Sequence, residues 1–231
     1  MQARLRQSSR EPGDIDLPGV APSRQKRSRE TTLALLRAGA EMLRTRSLAE
    51  LSIEALCTEV GVTVGAFYSR FESKEAYFNA LTALAARDGE QRLEEIRRPS
   101  PGTDLHKLCQ IVVNGVVAWM RQHEGVLRAA LQHDNTRPDR WTPFKALAKA
   151  TTERATPLLL PAMGKGQLAA KTHTIAFGLQ VVLGALVNAI LNDPGPLSLR
   201  SKDMETRLAG CLLLLLQAEA VGSAHSPTVP S

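Results

Sequence analysis

Residues 51–78 read LSIEALCTEVGVTVGAFYSRFESKEAYF. Ser52 stands before a helical run, where its hydroxyl can accept from an orphan backbone N–H, so it predicts a helix N-terminus. Ile53, Leu56 and Cys57 fall at helical spacing and predict a buried stripe closed by Val60. Gly61 supplies the positive φ that ends such a helix, and Thr63 begins another. In that second helix Val62, Ala66, Phe67 and Phe71 are expected to face the core, leaving Thr63, Val64, Gly65, Tyr68, Ser69 and Arg70 outward. Gly65 and Ala66 keep it slim, as a helix needs to be where its backbone approaches DNA. Ser73-Lys74-Glu75 then opens a third helix, capped by Ser73. Two short helices joined by a glycine turn form the helix-turn-helix unit, whose second helix enters a major groove.

Upstream, Leu33, Leu36, Ala40 and Leu43 form one apolar stripe and predict a helix over residues 28–46, with Arg44 and Arg46 in its last turn. Residues 1–27 lack periodicity and are expected to be a disordered basic arm, with the cluster Arg24, Lys26, Arg27 and Arg29 at its junction with that helix. That cluster reads either as a solvated charge run or as a phosphate-contacting arm. From Thr31 to Lys74 five basic residues meet five acidic ones, so the positive surplus lies in the cluster.

The whole chain has 231 residues and a net charge of +6, which suits an anionic partner. Aromatic content is only 4%, and alanine and leucine are plentiful, which favours helices over strands. Cys57, Cys109 and Cys211 are far apart and odd in number, so they suggest reduced thiols rather than a disulfide framework or zinc site. His106, His123, His133 and His173 are too scattered to argue for a metal, and no cofactor motif is present. No secretory signal pattern opens the sequence, and cytoplasmic, nucleoid-associated action is expected. Residues 174–191 carry no formal charge, but Gln180 and Asn188 interrupt them and no basic anchor flanks them; a buried helix is expected rather than a membrane span.

Beyond residue 74, periodicity predicts a helix from Lys74 to about Arg98, stopped by Pro99-Ser100-Pro101-Gly102. Five further helices are expected near residues 104–123, 124–134, 140–163, 167–192 and 202–221, with Pro157 and Pro161 kinking or splitting the third. The expected architecture is therefore all-α. A three-helix DNA-binding domain (28–74) precedes a larger helical domain (75–222) and a flexible tail (223–231).

This order, carried by the motif from Leu51 to Glu75, resembles the TetR family of bacterial transcriptional regulators. The family pattern has alanine in helix two, Gly-Val at the turn, an aromatic-Tyr pair, a phenylalanine before the cap and Ser-Lys-Glu. All are found here, at Ala55, Gly61-Val62, Phe67-Tyr68, Phe71 and Ser73-Lys74-Glu75. The resemblance is specific over residues 28–80 and architectural beyond them. It places DNA contacts on Ser52, Thr63, Val64, Gly65, Tyr68, Ser69, Arg70 and Lys74. Tyr68 and Lys74 are expected on phosphates, Thr63 to Gly65 on base edges, and Arg70 on a guanine or a phosphate. Ser69 replaces the aromatic or histidine often found there, so base preference cannot be transferred from a relative.

The resemblance also implies a homodimer, a palindromic operator on double-stranded DNA and a small organic effector. The last two helices are apolar on every side, which leaves surface for a second copy. Leu179, Leu183, Leu186, Val187, Ile190, Leu208, Leu212 and Leu215 are the expected interface, with Gly178, Gly184, Ala185 and Ala189 permitting close approach. Asn114, Trp119, Met120, Phe144, Met163, Phe177 and Gln180 are the expected pocket, the two amides foremost because a buried amide needs a partner. A ligand-released repressor is the leading reading. A constitutive or activating regulator without an effector is the alternative, and no catalytic constellation argues for an enzyme.

Overall fold

The computed structural model describes residues 17–20, 26–95, 100, 102–132, 142–193, 195 and 198–222. Helices make up its regular structure, and no strand occurs among the described residues. They are α1 (Lys26–Met42), α2 (Ile53–Val60), α3 (Val64–Tyr68), α4 (Lys74–Glu95), α5 (Leu105–Gln122), α6 (Glu124–Gln132), α7 (Thr142–Leu159), α8 (Leu168–Asn192) and α9 (Met204–Gly222). The chain divides into two compact units at Leu84/Ala85, inside α4, rather than at residue 74. The tail after Gly222 lies outside the described residues.

In the first unit, or head, each turn signal acts as its chemistry requires. Ser52 Oγ accepts from Ala55 N at 3.2 Å, Thr63 Oγ1 from Ala66 N at 3.1 Å, and Ser73 Oγ from Ala76 N at 3.0 Å. Gly61 closes α2 at φ +72°, and its N–H bonds back to the helix end. Of the expected stripe, Leu36 and Leu43 (just past the end of α1) are buried, but Leu33 and Ala40 are half-buried, and Leu35 and Gly39 take the inner positions instead. Gly39 explains the offset: Tyr77 packs onto its bare Cα, so the helix turns that face inward. The centre of the head is an aromatic cluster of Phe67, Phe71 and Tyr77, with ring centroids 4.9–5.3 Å apart.

Two boundaries differ from the sequence reading. Helix α1 begins at Lys26 and ends at Met42, so Lys26 and Arg27 are helical and Arg44 and Arg46 lie past its end. Residues 17–20, expected within a disordered arm, form an ordered turn. Leu17 is buried, and Gly19 (φ +81°) lies so close to α4 that a Cβ there would meet the Ala76 carbonyl oxygen at 2.4 Å. The apolar Leu17 supplies the burial that the surrounding polar sequence obscures. Arg24 and residues 1–16 lie outside the described residues.

In the second unit, or body, α5 packs mainly on α9 and α8 packs on α9 and α7. Gly178 lets α8 approach α9 closely: its absent Cβ would lie 2.7 Å from Leu212 Cδ1. Pro157 sits inside α7 without splitting it, and the helix gives way to a short 3-10 turn, Leu160–Ala162, at Pro161. Arg121 fastens the α8–α9 connection through Leu199 O (2.7 Å), Ser201 O (2.9 Å) and the Glu205 carboxylate. By length and composition α8 could cross a membrane, but 44% of its most apolar window is buried inside the chain. Its exposed positions include Gln180, Asn188 and Asn192, consistent with a core helix that has one polar-tolerant face.

Candidate nucleic-acid interface and effector cavity

The α2–turn–α3 unit presents one outward surface. Phe67 turns inward and Tyr68 outward, because consecutive helical residues point about 100° apart. Tyr68 is 51% exposed and stands edge-on to Phe67, with centroids 5.3 Å apart at 87°. That contact holds the ring upright while its hydroxyl reaches solvent. Thr63, Gly65 and Ser69 are also exposed, and Val64 is half-buried beside them. A Cβ on Gly65 would meet only Thr63 Oγ1, at 3.8 Å, so the surface there is open to an approaching duplex. Ser52 Oγ is engaged as a cap and donates to Glu54 Oε2 at 2.7 Å.

Arg70 and Lys74 are held differently from the expectation of free cationic contacts. The Arg70 guanidinium folds back to Ala66 O (2.5 Å), Ser69 Oγ (3.2 Å) and Ser28 Oγ of α1 (3.3 Å), and its Nε is buried without a partner. It therefore braces the end of α3 against α1, and in this position it does not extend toward a base. Lys74 Nζ donates to Ala49 O at 3.2 Å, tying α4 to the α1–α2 connection, and partial burial lowers its pKa. An ammonium has three donors, so a phosphate contact remains open to it. Arg27 is exposed at the start of α1; the Lys26 side chain lies outside the described residues.

The body contains a cavity of about 150 Å³ between α4, α5, α6, α7 and α8. Of the residues expected in a pocket, Trp119, Met120 and Phe144 line it. Asn114, Met163, Phe177 and Gln180 do not. Asn114 and Gln180 are exposed, Phe177 is 51% exposed, and Met163 is buried elsewhere. The two amides sit on outward faces and have no need of an interior partner, which is why burial logic misplaced them. The sequence reading missed Gly89 and Arg92 of α4 and Thr151 of α7. Gly89 had a legible signal, a glycine inside a helix: a Cβ there would lie 2.5 Å from Leu147 and 3.0 Å from Trp119 Nε1.

Beside the cavity, Asp88 Oδ2 accepts from both Arg92 Nε and His123 Nε2 at 2.9 Å, and Arg92 also donates to Gln122. Burial raises the Asp88 pKa, but the His123 and Arg92 hydrogen bonds outweigh it and hold the carboxyl below its ordinary value. His123 moves down, because burial disfavours its cation more than Asp88 restores it. Burial likewise pushes the Cys109 thiol up to about 11, as befits a core residue, and Cys57 is buried too. No cluster of three or more potential metal ligands occurs among the described residues.

The expected interface divides in two. Leu179, Leu186, Ile190 and Leu212 are at most 4% exposed and belong to the body's own core, so they offer no surface to a partner. Leu183 and Val187 line the cavity, and Leu208 and Leu215 are half-buried. The exposed face of α8 runs through Phe177, Gln180, Gly184 and Asn188, which share one side at helical spacing. On α9 the exposed positions include Leu214 (68%), Gln217 and Ala218. The apolar residues of α8 and α9 were legible, but which of them the chain covers for itself depends on helix rotation.

Residues 35–81 match the family described as bacterial regulatory proteins, tetR family. Residues 35–81 thus carry a DNA-binding domain of the tetR family. The matched segment covers the TetR helix-turn-helix, from the middle of α1 into α4. Solved structures extend the likeness in fold over 80–84% of the chain. A tetR-family transcriptional regulator from Streptomyces coelicolor has 16% identity and a TM-score of 0.60, covering 84% of this chain and 83% of that one. A transcriptional regulator from Cytophaga hutchinsonii has 16% identity and a TM-score of 0.61, covering 80% and 95%. Salmonella enterica GusR has 16% identity and a TM-score of 0.59, covering 84% and 100%. No curated protein sequence matches the chain.

Proposed function

We propose that this TetR-family regulator is a homodimeric repressor that binds a palindromic operator through α3 and leaves it when a small organic molecule occupies the body cavity. The observation that carries the DNA reading is the outer face of α3. Thr63, Gly65, Tyr68 and Ser69 are exposed together, with no bulk at Gly65 and with capped, rigid ends. Such a face reads base edges while flanking groups hold phosphates.

Homodimerisation is supported by the exposed Phe177 and Leu214 on two long apolar helices, which a second copy would cover. Effector control is supported by the 150 Å³ cavity, whose wall includes Gly89, Arg92 and Leu93 of α4. The same helix supplies Lys74 and Tyr77 to the head. A ligand that prefers one body conformation shifts the population of operator-binding chains by its differential affinity. The chain acts on chromosomal DNA in the cytoplasm and needs neither cofactor nor membrane.

Selection of genomic fragments by the purified protein tests this reading. Enrichment of sites with two related half-sites is expected, and the neighbouring genes name the regulated process. Failure to enrich any fragment removes the DNA-binding reading, whatever the cavity binds.

A further inference from the structure

The cavity wall specifies a ligand class. Its lining is aromatic and aliphatic, with Trp119 and Phe144 at 6.1 Å between ring centroids and Met120, Val116 and Leu183 around them. The polar side chains on it are already satisfied. Trp119 Nε1 donates to Ala85 O at 3.0 Å, and Thr151 Oγ1 donates to Leu147 O at 2.8 Å. Arg92 is the charged lining residue, and Asp88 balances it at 2.9 Å. A ligand therefore meets no unpaired charge and no unmet backbone or side-chain donor from these groups.

An ionised ligand would lose its hydration without gaining a counter-ion unless it displaced Asp88 from Arg92. A neutral ring loses little on entering and gains dispersion contacts with two aromatic faces. Size narrows the class further, since apolar cavities of roughly 150 Å³ accept a benzene-sized guest. The Thr151 hydroxyl, its proton committed to Leu147, can still accept one hydrogen bond.

We propose that the cavity selects a compact, neutral, single-ring aromatic molecule, and that a phenolic hydroxyl is tolerated at Thr151 while a carboxylate or ammonium is rejected. This rests on the effector reading above, and it concerns the chemistry of the ligand rather than its effect on DNA.

Calorimetric titration of the full-length protein with p-cresol, benzoate, benzylamine and pyrene tests it. Binding of p-cresol at least about tenfold tighter than benzoate or benzylamine is expected, because an ionised group buried without a counter-ion loses more than the roughly 1.4 kcal/mol that tenfold represents. Pyrene, too large for the space, is expected not to bind. Ala148→Leu and Val116→Phe each fill the cavity from a half-buried wall position and are expected to abolish p-cresol binding, with folding checked by circular dichroism.

Benzoate binding more tightly than p-cresol, and losing that advantage in Arg92→Gln, overturns the neutral class and assigns Arg92 to an anion. Absence of p-cresol binding, or binding unchanged in both filled variants, overturns the assignment of ligand to this cavity. Neither outcome touches DNA selection, which is measured without ligand.

Discussion

The Tyr77 hydroxyl donates to the Leu35 carbonyl at 2.7 Å, and a Cβ on Gly39 would lie 1.7 Å from that same hydroxyl. One aromatic residue of α4 thus fixes the rotation of α1 in the head, and a glycine is the space it needs. Gly39→Ala is expected to destabilise the protein by about 2–3 kcal/mol through overpacking. Tyr77→Phe is expected to cost about 1–2 kcal/mol through the lost buried hydrogen bond. Urea unfolding of both variants checks the order, and a Gly39→Ala protein as stable as wild type contradicts the packing account.

This pair also marks what the sequence discloses about the fold. Gly61, Ser52, Thr63 and Ser73 were readable because each acts within four residues of itself, through a cap or a positive φ. Gly39 was not readable, because its meaning lies in a residue 38 positions away in the chain. The cavity shows the same division. Trp119, Met120 and Phe144 were legible as large apolar residues on body helices, whereas Asn114 and Gln180 were misassigned because helix rotation, not residue type, decides which side faces inward.

Arg70 is expected to act as a brace. Arg70→Ala removes the ties to Ser28 and Ala66, so operator affinity should fall by a similar factor on every operator variant. A panel of single-base operator substitutions measured with wild type and variant checks this. Loss of discrimination at one base position alone would instead make Arg70 a base reader, worth about 1–3 kcal/mol there.

The Asp88–Arg92–His123 group makes body stability depend on pH. The His123 pKa is depressed in the folded chain below its ordinary 6.5, so the unfolded chain takes up the proton first. Stability is therefore full above pH 6.5 and falls as pH is lowered through 6.5 toward the folded pKa. Asp88, also depressed, adds a separate loss at lower pH, below its ordinary 3.8. Melting curves from pH 7.5 to 5 are expected to show the first decline in wild type and a shallower one in His123→Gln. An identical slope in both would assign the decline to other groups.

The basic cluster before and within the start of α1 is expected to carry much of the electrostatic affinity, because the head beyond it is charge-balanced. Deleting the N-terminus would also remove the Leu17–Val20 turn packed on α4, so substitution is the cleaner experiment. Replacing Arg24, Lys26 and Arg27 with alanine removes six cations from a dimer and should reduce the slope of log affinity against log salt by up to about five. An unaltered slope would place the phosphate contacts elsewhere.

Two copies of the chain are expected to read two half-sites with their α3 faces. Native mass measurement of the protein on a selected duplex, with one half-site intact or scrambled, tests it most directly. Two chains per intact duplex are expected, with half-site centres about one helical turn (or a multiple) apart and sharply weaker binding when either half-site is scrambled. Loss of both effects is expected in Tyr68→Ala. One chain per duplex, or equal affinity for intact and scrambled sites, would contradict this reading.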